Sequence, residues 1–210
     1  MLPLGLKSKQ DIMKLKRSWI VIGIIVIFGL IVYSSIKNTY NRMVQMDQSV
    51  QESWSQVETQ YQRRADLIPN LVSTVKGYAE HEQETFIKVA EARSQVANTD
   101  VNANNLSPEK LQQFQQAQGA LSSALSRLMV VVERYPQLKA NQNFRDLQAQ
   151  LEGTENRISV ARRRFNQSVQ QYNTYIKQFP QTFYANMFGF EEKAYFESQE
   201  GADQAPDVQF

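Results

Sequence analysis

Cysteine is absent from all 210 residues, which excludes disulfides, thiolate nucleophiles and thiolate-held metals together. Histidine occurs once, at His81, and the chain has no zinc-protease motif, phosphate-cradling glycine loop or serine elbow. Glycine and proline are scarce: between Lys37 and Gln178 only Gly77, Gly119, Gly153, Pro69, Pro108 and Pro136 interrupt a stretch rich in Gln, Glu, Ala, Arg and Leu. With so few turn formers and no strand-like alternation of comparable length, this stretch predicts helices punctuated by prolines. A formal net charge of +2 argues neither for a nucleic-acid protein nor for an acidic tail protein.

Charge is also missing between Arg17 and Lys37, where Ile, Val, Phe and Leu dominate from Trp19 to Tyr33. As a helix this interval spans about 28 Å, close to the roughly 30 Å of a bilayer's hydrocarbon core. Trp19 and Tyr33 stand near its ends, where amphipathic rings prefer the headgroup level, and Phe28 lies in its apolar body. The run is longer than the apolar part of a cleavable signal peptide, and Val32-Tyr33-Ser34-Ser35-Ile36-Lys37 offers no convincing small-x-small cleavage site. A retained, single-pass signal anchor is therefore expected. Lys7, Lys9, Lys14, Lys16 and Arg17 precede it against Asp11 alone, and the basic side usually stays in the cytoplasm. About 170 residues follow, an ordinary single-domain size. The expected organisation is a basic cytoplasmic tail (1–17), a transmembrane anchor (18–36), an extracytoplasmic helical domain (37–196) and a polar, disordered tail (197–210).

Four amphipathic segments fill the helical domain. The first places Tyr40, Met43, Val50, Trp54, Val57 and Tyr61 at helical spacing, with Asp47 on the seam, and can continue from the anchor. The second carries Ile68, Val72, Val75, Ala79, Phe86, Val89 and Val96, interrupted by Glu82, and ends in a polar loop from Asn98 to Ser107. Asp66-Leu67-Ile68-Pro69 between them reads either as the first turn of a new helix or as a kink in one very long helix. The third starts with Ser107 as N-cap, Pro108 and Glu109, shows the stripe Leu111, Phe114, Leu121, Leu125, Leu128, Val132 and Tyr135, and closes at Pro136. The fourth is the most regular, with Phe144, Leu147, Leu151, Thr154, Ile158, Ala161, Phe165, Ser168 or Val169, Tyr172 and Ile176. Its small residues mark a coiled-coil-like seam where another helix approaches closely. The expected fold is all-α: an N-terminal transmembrane helix followed by an antiparallel bundle of four helical segments.

Chemistry is thin by comparison. On a helix, Glu80 and Glu84 beside His81 would share a face and make a weak oxygen-rich metal site, but a solvated stretch of the second helix is the stronger expectation. Arg63-Arg64 and Arg162-Arg163-Arg164 fan around their helices and read first as solubilising charge, then as contacts to anionic headgroups or an acidic partner. No catalytic residue, cofactor or metal ligand is expected.

Arg63-Arg64-Ala65-Asp66-Leu67-Ile68-Pro69-Asn70-Leu71-Val72, followed by Val75-Lys76-Gly77-Tyr78-Ala79 and His81-Glu82, resembles the signature of the LemA family. The likeness resumes at Glu133-Arg134-Tyr135-Pro136, Leu138-Lys139-Ala140-Asn141, Asn143-Phe144 and Thr154-Glu155-Asn156-Arg157-Ile158. It continues through Asn166, Val169, Tyr172-Asn173, Phe179-Pro180 and Phe188-Gly189-Phe190, covering roughly Tyr40 to Phe196. Phe165 departs from the Tyr expected before Asn166. The resemblance implies one membrane helix, a helical bundle and no established catalytic residues. One branch of the family is associated with building magnetosome membranes, and relatives often accompany membrane-bound proteases.

The aromatics Phe179, Phe183, Tyr184, Phe188, Phe190, Tyr195 and Phe196 are too many for a solvated tail and are expected to cap the bundle, ahead of forming a partner-binding strip. The terminal Asp207-Val208-Gln209-Phe210 is expected to be free. Candidate partner-binding positions are Arg63, Arg64, Asp66, Pro69 and Asn70 in the signature, and Phe183, Tyr184, Phe188 and Phe190 near the C-terminus. The expected function is a membrane-anchored, non-enzymatic helical scaffold or protein-interaction module of the bacterial envelope, sited in the plasma membrane. Its expected partners are the lipid bilayer and further copies of itself, a membrane protease or another envelope protein, without nucleic acid. An adaptor for a membrane-bound protease is the alternative.

Overall fold

Helix α1 (Lys9–Lys76) is a single 68-residue element, about 100 Å long, that carries the apolar stretch directly into the folded domain. The structure, a computed structural model, describes residues 9–99, 101 and 106–197, with side chains from Trp19 onward. Residues 1–8 of the basic tail and the polar tail from 198 therefore lie outside the described residues, and residues 9–17 already belong to α1. Trp19, Phe28 and Tyr33 are all exposed, and no other described element covers the apolar stretch. Within α1 this is the segment long and apolar enough to cross a membrane. Side-chain burial begins near its end, at half-buried Ile36 and buried Thr39 and Met43.

Pro69 lies inside α1 and does not reverse the chain. It sits on the exposed side, while Ile68, Leu71 and Val75 keep the opposite side buried. The lost amide bond is thus confined to the solvent face, where a kink costs least. The reversal falls instead at 77–82, so the second expected segment is divided: Ile68 to Val75 belong to α1, and Phe86 and Val89 to α2 (Gln83–Ala97). His81 and Glu80 occupy that turn and do not share a helical face with Glu84. Glu82 ends the turn, pairing with Arg134 at 3.2 Å.

Helix α3 (Pro108–Glu133) starts as its sequence dictates, with the Ser107 hydroxyl accepting from the Lys110 amide at 3.3 Å and Pro108 in the first turn. The short α4 (Pro136–Lys139) seats fully buried Leu138 among the residues of the distal core. Asn141 then caps α5 (Gln142–Lys177), accepting from the Phe144 amide at 3.0 Å. Helix α5 has 36 residues and runs antiparallel to α1, with Ser53 facing Ser168 (2.8 Å) and Arg64 facing Glu155 (2.8 Å).

Length explains the layout. Helices α2 and α3 are about 22 and 39 Å long, against about 54 Å for α5 and 60 Å for α1 beyond residue 36. They complete a four-helix bundle only in the half away from the apolar stretch, around Ile68, Leu71, Val75, Phe86, Leu125 and Leu128. In the near half α1 and α5 pair, joined by Leu111 and Phe114 from the start of α3. There Met43, Val50, Trp54, Phe165, Val169 and Tyr172 form a second core that is closed by the C-terminal residues.

Candidate functional site

At the junction of the two cores lies Arg64, only 2% exposed. Its guanidinium donates to Glu155 Oε1 at 2.8 Å, to Ser122 Oγ at 3.1 Å and to Gln118 Oε1, and lies over the Tyr61 ring at 5.0 Å. Arg64 was expected to face a partner; its two terminal nitrogens are instead held by α3 and α5, its Nε is buried, and one turn either side of it Tyr61 and Ile68 are buried. The reason is register: Val57, Tyr61, Arg64, Ile68, Leu71 and Val75 follow one another at steps of three and four, so the arginine occupies a seam position. Gln118 does the same between Phe114 and Leu121 on α3. Burial pushes the Tyr61 hydroxyl above its ordinary pKa, against the opposing pull of Arg162 and Arg64.

The remaining candidate partner-binding positions of the signature face outward. Arg63, Asp66, Pro69 and Asn70 are exposed on α1, and Asp66 accepts a hydrogen bond from Gln62 at 2.9 Å. Of the arginine triplet, Arg162 reaches inward to the Glu197 carbonyl at 2.9 Å and lies over the Phe196 ring at 4.8 Å, while Arg163 and Arg164 are exposed.

The near core is closed by helix α6 (Gln181–Phe188) and an extended strap, residues 189–197. Gly189, at φ 75°, makes the transition, since this left-handed conformation is open to glycine at little cost, and the Phe190 amide then reaches back to the Ala185 carbonyl at 3.0 Å. Phe190 meets Tyr40 (5.7 Å), Lys193 meets Asp47 (3.0 Å) and Phe196 stacks on Trp54 (5.9 Å). The partners on α1 are seven residues apart and those on the strap three apart. Seven helical residues rise about 10.5 Å and three extended residues span about 10 Å, so the two spacings match. Asp47, the acidic interruption of the seam, is accounted for as the partner of Lys193.

Helix α5 holds the strap's backbone with two asparagines, also seven apart. Asn173 donates to the Lys193 carbonyl (2.8 Å) and accepts from its amide (3.0 Å); Asn166 does the same for Phe196 at 3.0 and 2.9 Å. Each amide side chain acts as the edge of a neighbouring strand. The Tyr172 hydroxyl donates to the Glu191 carbonyl at 2.9 Å, and its pKa is pushed up to about 12 by burial, then by Asp47 and Glu191. Because the folded chain holds this proton more tightly than the unfolded chain, stability is full below about pH 10 and falls as pH rises toward 12. Thermal melts between these values should show that fall, and Tyr172→Phe should flatten part of it while costing about 1 kcal/mol at neutral pH for the lost hydrogen bond.

The C-terminal candidates divide. Tyr184 and Phe190 are half-buried against the near core, and Phe188 packs edge-on against Tyr40 at 5.0 Å while remaining 41% exposed. Phe183 is 65% exposed. The strap asparagines were not singled out from sequence beyond their place in the family pattern; their spacing, flanking the seam residues Phe165 and Tyr172, is the signal that marks them. An open groove of about 430 Å³ on α1 and α5 is lined by Gln56, Gln60, Asn156, Arg157, Val160 and Arg164, which brings together no acid–base pair. Among the described residues no group of three or more His, Asp or Glu side chains could hold a metal ion.

These features meet a family pattern. The LemA family model matches residues 53–210. Magnetosome protein MamQ 1 of Paramagnetospirillum magneticum is 28% identical over 185 residues, covering 78% of this chain and 66% of that protein. MamQ of Magnetospirillum gryphiswaldense shows the same identity and coverage. Protein LemA of Metamycoplasma hominis is 25% identical over 161 residues, 76% of this chain and 69% of the relative. The chain thus spans 66% of the length of the magnetosome relatives. With the family model covering well over half of its residues, the chain belongs to the LemA family.

Proposed function

We propose that this protein is a non-enzymatic scaffold of the bacterial cell envelope. It is anchored in the plasma membrane by the first part of α1, with its N-terminus in the cytoplasm and the bundle outside, and presents bundle faces to further copies of itself or to envelope proteins. The observation that carries this reading is the unbroken passage of α1 from an exposed apolar stretch into the bundle, which leaves Arg63, Asp66 and Asn70 displayed on the same helix. The magnetosome relatives favour a role in organising a membrane compartment.

Photoreactive residues at Arg63, Asn70 and Phe183 in the full chain, crosslinked in cells and read by mass spectrometry, test the proposal. Crosslinks between copies or to structural envelope proteins are expected. Capture of a membrane-bound protease at these sites would replace the scaffold with the adaptor reading, and no crosslink at any of them would remove both. Sidedness has its own test: the chain lacks cysteine, so a Val130→Cys variant should react with a membrane-impermeant maleimide in intact cells or spheroplasts.

A further inference from the structure

Near the C-terminus no charged residue occurs between Lys177 and Glu191. Helix α6 occupies most of it. One face of α6 is covered, with Ala185 3% exposed and Tyr184 half-buried against the near core. The other carries Phe183 and Met187, 65% and 54% exposed, and Phe179 continues the same four-residue step just before the helix at 89% exposed. This is an apolar stripe that nothing in the bundle covers.

Its height is fixed by α1. Phe188 packs on Tyr40, four residues beyond Ile36, where the uncharged stretch ends. Four helical residues place Tyr40 about 6 Å past that end. The headgroup layer on each side of a bilayer is about 5–7 Å thick, from the difference between its whole and hydrocarbon thickness. The Phe188 end of α6 is therefore held within about one headgroup layer of the end of the uncharged stretch, with Lys37 and Arg42 nearby on α1 and Lys177, paired with Glu192 at 2.7 Å, at the end of α5.

We propose that α6 and the turn before it lie in the interfacial layer of the same membrane that α1 crosses, as a second membrane contact made by Phe179, Phe183 and Met187. The inference rests on the anchoring of α1. A lipid surface fits this stripe because α1 runs unbroken from the apolar stretch to its contact with α6, and because the stripe is uncharged.

The absence of cysteine gives a direct test. Full-length Phe28→Cys, Phe183→Cys and Val130→Cys, each labelled with nitrobenzoxadiazole, are reconstituted in vesicles of phosphatidylcholine and phosphatidylglycerol. Quenching by lipids spin-labelled near the headgroup or deep in the acyl chain is then measured. Phe28 marks the span and Val130, 66% exposed on the far part of α3, marks water. The Phe183 label should be quenched by the shallow probe at least about twofold more than the Val130 label. If Phe28 is quenched and Phe183 behaves like Val130, α6 is off the membrane and the proposal fails while the anchor stands. A Phe183 label that is shielded from water but not quenched by lipid also overturns it, assigning the stripe to a protein contact. An unquenched Phe28 label overturns the anchor and the proposal with it. Met187→Cys repeats the measurement and guards against a local effect of replacing Phe183.

Discussion

Arg64→Ala is expected to lower the unfolding free energy by about 3 kcal/mol, because hydrogen bonds to a charged group contribute about 1.5–3 kcal/mol and a vacated buried side chain leaves a cavity as well. Three side chains lose a common partner at once: Gln118 and Ser122 on α3, and Glu155 on α5. In a domain of this size that corresponds to a fall in Tm of about 6–12 °C by calorimetry or circular dichroism. Glu155→Gln provides the contrast. The Glu155 side chain is 45% exposed, so water replaces much of what it contributes and the cost should stay near 1 kcal/mol or less. Arg64→Met combined with Gln118→Leu should regain most of the loss, since an apolar layer of similar volume suits a bundle interior. An Arg64→Ala protein as stable as the parent would show that the layer does not tie the two cores together.

Phe196→Ala is expected to cost about 3–5 kcal/mol, the range for removing a buried phenylalanine ring. Phe196 is 4% exposed and touches Trp54, Phe165 and Phe114 with ring centroids 5.9, 5.3 and 6.5 Å away. Its backbone is also one of the two points at which α5 grips the strap. Losing the ring should therefore release the strap as a unit, and limited proteolysis at Lys193 should become faster together with the drop in Tm. Phe183→Ala, at a 65% exposed position, should change stability by no more than about 0.5 kcal/mol in detergent. Equal stability losses for the two variants would contradict the division of the C-terminal aromatics into a closing set and a displayed set.

Helix periodicity made most of the bundle legible. Met43, Val50, Trp54 and Val57 on α1, and Ile158, Phe165, Val169 and Tyr172 on α5, are buried where their spacing puts them. Ser107 and Pro108 mark the start of α3 for reasons that are entirely local. Two features were harder. Pro69 leaves a new helix start and a kink in one long helix both open, because proline usually ends a helix, and flanking apolar residues on the buried side carry α1 past it. The true reversal, at residues 77–82, contains a single glycine and no proline. Arg64 reads as surface charge because arginine is rarely buried, although its place in the run Tyr61, Arg64, Ile68 gives its position away. The strap has no periodicity of its own. Its course is set by asparagines on α5 that, taken singly, look like ordinary surface residues.

The continuity of α1 makes it a lever. From Lys37 to Lys76 it extends about 60 Å from the end of its apolar stretch, so a ten-degree tilt of the buried portion sweeps the far tip sideways by about 10 Å. Bilayers thinner than a helix's apolar length are accommodated by such tilting. If α1 crosses a bilayer as proposed, a change of a few ångströms in membrane thickness becomes a lateral displacement of the turn that carries His81 and Glu82, less whatever bending Pro69 absorbs.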